Sequence, residues 1–201
     1  LVRRFAEGGY RVAMMARDAD RLAALEAEIP DTLAVPCDVT DAKALERAIS
    51  DIGPPKIVVH NAVGGAFGTF REIEPTVLQH NFDVNVMALL RLAQLTTPAM
   101  VEAGEGALIV TGNTSALRGK AKFAGFAPTK AAQRILAESL ARDLGPRGVH
   151  VAYLVIDAVI DVPWARERFK DKPNEFFIQP TAIAEEIWHV THQDRCAWSF
   201  N

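Results

Sequence analysis

Apolar residues recur along the chain with two different periods. Leu1, Val2, Phe5 and Ala6 sit at helical spacing among Arg3, Arg4 and Glu7, and Gly8-Gly9 ends the segment as a left-handed C-cap would. Arg11–Ala16 is a short apolar run that predicts a buried strand. Asp18 is placed to N-cap a helix carrying Leu22, Leu25 and Ile29 on one stripe. Thr32–Val35 predicts a second strand. Thr40 or Asp41 opens a helix with Leu45, Ala48 and Ile49 turned inward. Lys56–Val59 predicts a third strand after the Gly53-Pro54-Pro55 break. A long helix is expected from Pro75 to Glu102, kinked or cut short at Pro98. Ala107–Thr111 is the fourth strand, and Phe123 to Leu144 a helix stopped by Gly145-Pro146. His150–Ile156 is the fifth strand, Ile183–Val190 a last helix, and Ala197–Phe200 a short final strand. Strand–helix alternation of this kind predicts right-handed crossovers and a doubly wound parallel sheet with helices on both faces, in a single α/β domain spanning 1–201.

Composition adds limits. The chain has 201 residues with 22 Lys and Arg against 25 Asp and Glu, for a net charge of −3. That balance argues against a nucleic-acid or anionic-membrane partner, which calls for a basic face. No apolar run approaches the roughly 18 residues of a membrane span. Two cysteines, Cys37 and Cys196, are too few for a disulfide framework, so a reducing, cytoplasmic setting is expected. Asp161 to Pro180 is rich in Pro, charge and aromatics, and reads equally as a surface loop or as a lid over a site.

In open parallel sheets, ligands sit beyond the carboxyl ends of the strands. Those ends carry Ala16-Arg17-Asp18, Cys37-Asp38-Val39, Asn61-Ala62-Val63-Gly64-Gly65 and Thr111-Gly112-Asn113-Thr114-Ser115. Polar and glycine residues thus gather on one edge. Taken in order, Cys37-Asp38-Val39-Thr40, Asn61-Ala62, Asn85 in Asp83-Val84-Asn85-Val86, and Lys130 in Phe126-Ala-Pro-Thr-Lys130 resemble the short-chain dehydrogenase/reductase family over essentially the whole chain. The resemblance implies a Rossmann-like fold and hydride transfer between NADP(H) and a small carbonyl or alcohol. It implies cofactor contacts at Arg17, Asp38, Val39, Asn61, Ala62 and Lys130. It implies catalytic roles near Lys130, Asn85, Asn113, Ser115 and Phe126, and a homodimer or homotetramer. Arg17 at a strand end favours a 2′-phosphate, hence NADP rather than NAD.

The departures carry as much information. The family tyrosine falls on Phe126, and the family serine on Asn113, with Thr114 and Ser115 adjacent. Asp157-Ala158 stands where the family has Pro-Gly, and Val63 where its motif has Gly. Losing a general acid costs about 10²–10⁴-fold in rate, or roughly 3–5 kcal/mol of barrier. Positioning of the reactants can still supply roughly 7–11 kcal/mol. Two readings stay open: a catalyst whose proton comes from elsewhere, such as a water held by Lys130 and Asn85, and a nucleotide-binding regulatory or scaffolding protein that turns nothing over. The family's Gly-rich phosphate turn and central strand have no counterpart in the sequence, and an empty central lane would leave two rows of backbone groups unpaired, so about 15–20 further upstream residues are expected. His60 reads as a satisfied strand-end residue. Metal ligation by His189 and His192 has no third partner.

Overall fold

The computed structural model describes residues 1–201. β1 (Val12–Ala16) pairs in parallel with β2 (Thr32–Pro36). β3 (Ile57–His60), β4 (Gly106–Asn113) and β5 (Val149–Ile156) form a parallel trio with β4 in the middle. A two-residue pair, β6 (Val159–Ile160) with β7 (Phe177–Ile178), organises the C-terminal part. The buried strands read as near-continuous apolar runs, as parallel strands covered on both faces do.

The helices start where their caps predict. Asp18 accepts a hydrogen bond from the Arg21 N–H at 3.0 Å and opens α2 (Ala19–Glu28), which follows α1 (Val2–Glu7). Asp41 accepts from Lys43 and Ala44 and opens α3 (Ala42–Ile52), and Gly53, with φ +78, turns the chain out of it. α4 (Pro75–Phe82) continues through a π-turn at Asp83–Met87 into α5 (Ala88–Ala103). α6 (Ala127–Leu144), α7 (Pro163–Arg168) and α8 (Pro180–Thr191) complete the set.

Two apolar layers sandwich the strand trio. On one face Leu89, Ala93 and Met100 of α5 and Ala137 and Leu144 of α6 pack with Leu108, Val110 and Val151. On the other, Phe5 of α1 and Ile183, Ile187 and Val190 of α8 cover Ala107, Ile109 and Ala152. A third cluster sets Leu45, Ala48 and Ile49 of α3 beside Leu92 and Leu95 of α5. The result is a Rossmann-like α/β domain with helices on both faces.

Several sequence expectations change. Pro98 lies inside α5 without ending it, because both Pro98 and Gln94, whose carbonyl the proline cannot serve, face solvent. The helix expected from Phe123 begins only at Ala127, with Phe126 as its N-cap residue in a non-helical conformation. Ala197–Phe200 forms no strand, although the Phe200 carbonyl accepts the Tyr153 N–H at 2.6 Å. The irregular stretch 161–180 contains α7 and β7 and is not an open loop. Taken as one rod, Pro75–Ala103 is long and apolar enough to cross a membrane by length and composition, which single apolar runs did not suggest; here its apolar side lies on the sheet.

The lane between β1 and β3 is open. No backbone hydrogen bonds join them, and a cleft with a cavity of about 860 Å³ runs between the two strands, lined by Ala13, Met15, Val58 and Val59 among others.

Candidate active site

The upper end of this cleft gathers the residues that follow the strands: Arg17 after β1, Asp38 and Val39 after β2, and Asn61, Ala62 and Gly64 after β3. Arg17 is exposed. Asp38 Oδ1 accepts from both the N–H and the hydroxyl of Thr40, at 2.9 and 2.7 Å, and these bonds hold its carboxyl below the usual carboxylate range. Asp38 is therefore a turn-former, and its second oxygen remains for a ligand. Asn61 is exposed, and its Oδ1 accepts the Thr111 hydroxyl at 2.8 Å, tying the ends of β3 and β4 together.

The π-turn places Asn85 beside the loop after β3. Asn85 is fully buried. Its Oδ1 accepts the Gly64 N–H at 3.0 Å, and its Nδ2 donates to the Gly64 carbonyl at 2.7 Å and to Thr129 Oγ1 at 2.8 Å. A buried amide has to be satisfied in this way. Both donors and the carbonyl oxygen of the side chain are engaged by the fold, so it clamps the glycine loop and does not face open space. A Cβ on Gly64 would lie 2.8 Å from Asn81 Oδ1, so only glycine lets the loop come this close. Asn81 in turn donates to the Gly125 carbonyl at 2.7 Å.

Lys130 lies one turn into α6, its N–H bonded to the Phe126 carbonyl at 3.2 Å. The residue is 2% exposed. Its Nζ donates to the Thr111 carbonyl at 3.0 Å and to Gln133 Oε1, and burial lowers its pKa to about 8. An ammonium has three donors, so one N–H is left over. Gln133 Nε2 donates to the Asn85 backbone carbonyl at 2.8 Å. Tyr153, fully buried behind β4, places its hydroxyl where a Cβ on Gly112 would be. Burial raises its pKa well above the ordinary range, and its hydroxyl donates to the Lys130 carbonyl at 3.4 Å and to Gln133 Oε1 at 3.5 Å.

Asn113 Oδ1 accepts the Ser115 N–H at 3.0 Å and caps a single 3₁₀ turn, Thr114–Ala116. The Ser115 hydroxyl is half-buried and left for a ligand, whereas Thr114 donates to Asp157. Phe126 packs its ring over Gly65 and stands 5.7 Å from the ring of Phe67, which also meets Phe123 at 5.2 Å. Phe126 is buried and Phe67 is 65% exposed, so the three rings make an aromatic wall with one open member. His60 is buried with Nε2 unpartnered, so it is not the satisfied residue its position suggested. No group of three metal-ligating side chains occurs.

The structure thus brings Asn85, Lys130, Asn61 and the Gly64 loop into one hydrogen-bonded corner. Asn81, Thr129 and Gln133 join that corner without having been singled out in the sequence. The one available signal was their spacing: Asn81 is one helical turn from Asn85, and Thr129 and Gln133 flank Lys130 on α6.

The chain is 30% identical over 147 residues to L-xylulose reductase of Mesocricetus auratus, covering 73% of this chain and 60% of that protein. It is 31% identical over 146 residues to carbonyl reductase (NADPH) 2 of Sus scrofa, covering 71% and 59%. The chain therefore spans about 60% of the length of these curated relatives. A solved short-chain dehydrogenase from Rhodopseudomonas palustris superposes with a TM-score of 0.83 at 26% identity, over 99% of this chain and 88% of that one. A family model described as short chain dehydrogenase matches residues 1–173, and the chain belongs to that family.

Proposed function

We propose that this protein is an NADP(H)-dependent oxidoreductase acting between a small carbonyl and its alcohol. The observation that carries the reading is the buried Lys130 ammonium, held at the end of β4 with one donor free, beside a cleft rimmed by Arg17, Asp38 and Asn61. The residues fit a dinucleotide. The exposed guanidinium of Arg17 suits a 2′-phosphate, and the free Asp38 oxygen suits an adenine amino group. The relative named carbonyl reductase (NADPH) 2 supports the choice of NADP over NAD. When bound, the nicotinamide supplies or accepts the hydride. Lys130 would donate its remaining N–H to a ribose hydroxyl, and Ser115 or the Asn113 amide would orient the substrate oxygen.

Phe126 stands at the family's tyrosine position and has no proton to give. Under this reading the proton reaches the substrate oxygen from a water, at a cost of about 10²–10⁴ in rate. Phe126 also favours the second reading, a binding protein without turnover, because its ring is buried against Gly65 and builds a wall instead of a donor. α7, with Trp164 64% exposed, is the proposed lid. Ile135 on α6 and Val77 on α4 remain exposed, which supports pairing of these helices in a homodimer or homotetramer. The open lane between β1 and β3 supports a further strand there, with the phosphate-binding turn at its end.

Calorimetric titration with NADPH and NADH tests the proposal. NADPH is expected to bind about tenfold or more tightly than NADH, and Arg17→Ala to remove the difference. Preference for NADH, or no uptake of either, would overturn it. Phe126→Tyr separates the two readings: a rise in carbonyl turnover of about 10²-fold over measurable parent activity supports the catalyst, whereas cofactor binding with no turnover in either protein supports the binding role.

A further inference from the structure

Gln133 occupies a position on α6 where an apolar residue would be expected. It is fully buried on the face that also carries Ala137 and Leu144. A long amide in such a place loses both its hydration and its rotamer freedom, and the loss is offset only when every polar atom finds a partner. Both ends of the Gln133 amide do. Oε1 accepts from Lys130 Nζ, and Nε2 donates to the Asn85 backbone carbonyl at 2.8 Å. That carbonyl belongs to the π-turn, where the helix ladder is shifted by one residue; such turns gather at functional sites. The second acceptor of the ammonium, the Thr111 carbonyl, belongs to β4.

We infer that Gln133 is a positioning residue that fixes the Lys130 ammonium by bridging it to the Asn85 carbonyl. The assignment rests on the reading that Lys130 serves the cofactor. Three elements then set one point: α6 supplies the lysine, β4 the first acceptor, and the π-turn the second through the amide. Without Gln133 the ammonium would keep a single protein acceptor in a buried place and would swing on a four-carbon stem. The titratable groups facing it are His60, at the end of β3, and Tyr153, on β5 with its ring 5.9 Å from Nζ. Burial keeps the first neutral and the second protonated near pH 8, so neither sets a charge beside the ammonium, and the Tyr153 hydroxyl donates at 3.5 Å to the same Gln133 oxygen. A residue that merely filled space between α6 and the π-turn would leave the lysine's titration unaltered.

The titration is therefore the test. The full chain is labelled with carbon-13 at lysine Cε, and the Lys130 signal is identified by its loss in Lys130→Met. Gln133→Leu removes the acceptor and is expected to lower the midpoint by about one unit, a tenfold weaker proton affinity. Gln133→Glu puts a carboxylate against the ammonium and is expected to raise it by at least about one unit. Midpoints within about 0.3 unit of the parent in both variants would overturn the assignment. If Gln133→Leu does not fold, Gln133→Glu decides alone. NADPH is titrated into the same samples: midpoints that move in a protein taking up no NADPH support the bridge while refuting the cofactor reading, so the two fail separately.

Discussion

At the residue scale, burial has set two basic groups against their ordinary behaviour in one corner. Lys130 is one, and His60 is the other. The His60 ring is buried, with its Nε2 unpartnered. Burial first, and the Lys130 charge second, lower its pKa from 6.5 to about 4. The folded protein thus binds this proton less readily than the unfolded chain does. Its contribution to stability is fully present above pH 6.5 and is lost as pH falls through about 4. Replacing the ring by His60→Leu removes that titration. Between pH 7 and pH 4.5 the parent is expected to lose about 2 kcal/mol more stability than the variant, read from urea midpoints at the two pH values. Equal losses would mean that the ring protonates normally in the fold. Asn85 was legible from the sequence because an amide inside a run of apolar helix positions asks for partners. Gln133 and Thr129 were not. A glutamine or threonine on a helix reads as surface until a neighbouring element covers it, and only the packed structure shows that α6 turns both toward the π-turn.

At the scale of elements, caps and strand runs were legible because they depend on residues a few positions apart. Asp18, Asp41 and Gly53 act where the sequence places them. The segment 161–180 was not legible, since its order comes from pairings its composition hides. Asp161 meets Arg166 through both carboxylate oxygens, at 2.6 Å each, and also accepts from Gln179. The same guanidinium lies 4.0 Å over the Phe177 ring and donates to Asn174. One arginine therefore ties β6, α7 and β7 into a single flap. The Arg166 pairing holds the Asp161 carboxyl at about 2, so the tie is present above pH 3.8 and is lost only as pH falls through about 2. Arg166→Ala is expected to free the flap at neutral pH. Limited trypsin digestion checks this: cleavage after Arg168 and Lys170 should quicken by about tenfold, as local opening becomes easier. An unchanged rate would show that β6–β7 pairing alone holds the flap.

At the scale of the whole molecule, the sheet is two parallel halves with an open lane between them. Periodicity places strands along the chain but says nothing of their lateral order, so the lane was legible only through the resemblance. The halves are joined around the lane, by α3 against α5 and by α1 against α8, where Arg4 pairs with Glu185 at 2.8 Å and Phe5 meets Trp188 edge to face. Backbone groups of β1 and β3 that face the lane have no ladder partner, while β4 is paired on both sides. Protection from amide exchange should follow that difference. In the 201-residue chain by itself, the lane-facing amides within Ala13–Ala16 and Ile57–His60 are expected to exchange at least about 100-fold faster than those of Ala107–Thr111, by mass spectrometry of overlapping peptides, and a further strand in the lane is expected to remove the difference. Equal protection would mean that the two edges find partners that the lane does not show. The cofactor proposal bears on the same measurement. A ligand reaching from Arg17 and Asp38 to Asn61 would contact both halves, and a ligand that binds only the joined state stabilises it by an amount that grows with the logarithm of one plus its concentration over its dissociation constant. NADPH should therefore slow exchange on both sides of the lane together, and slowing confined to one half would place the ligand on one rim only.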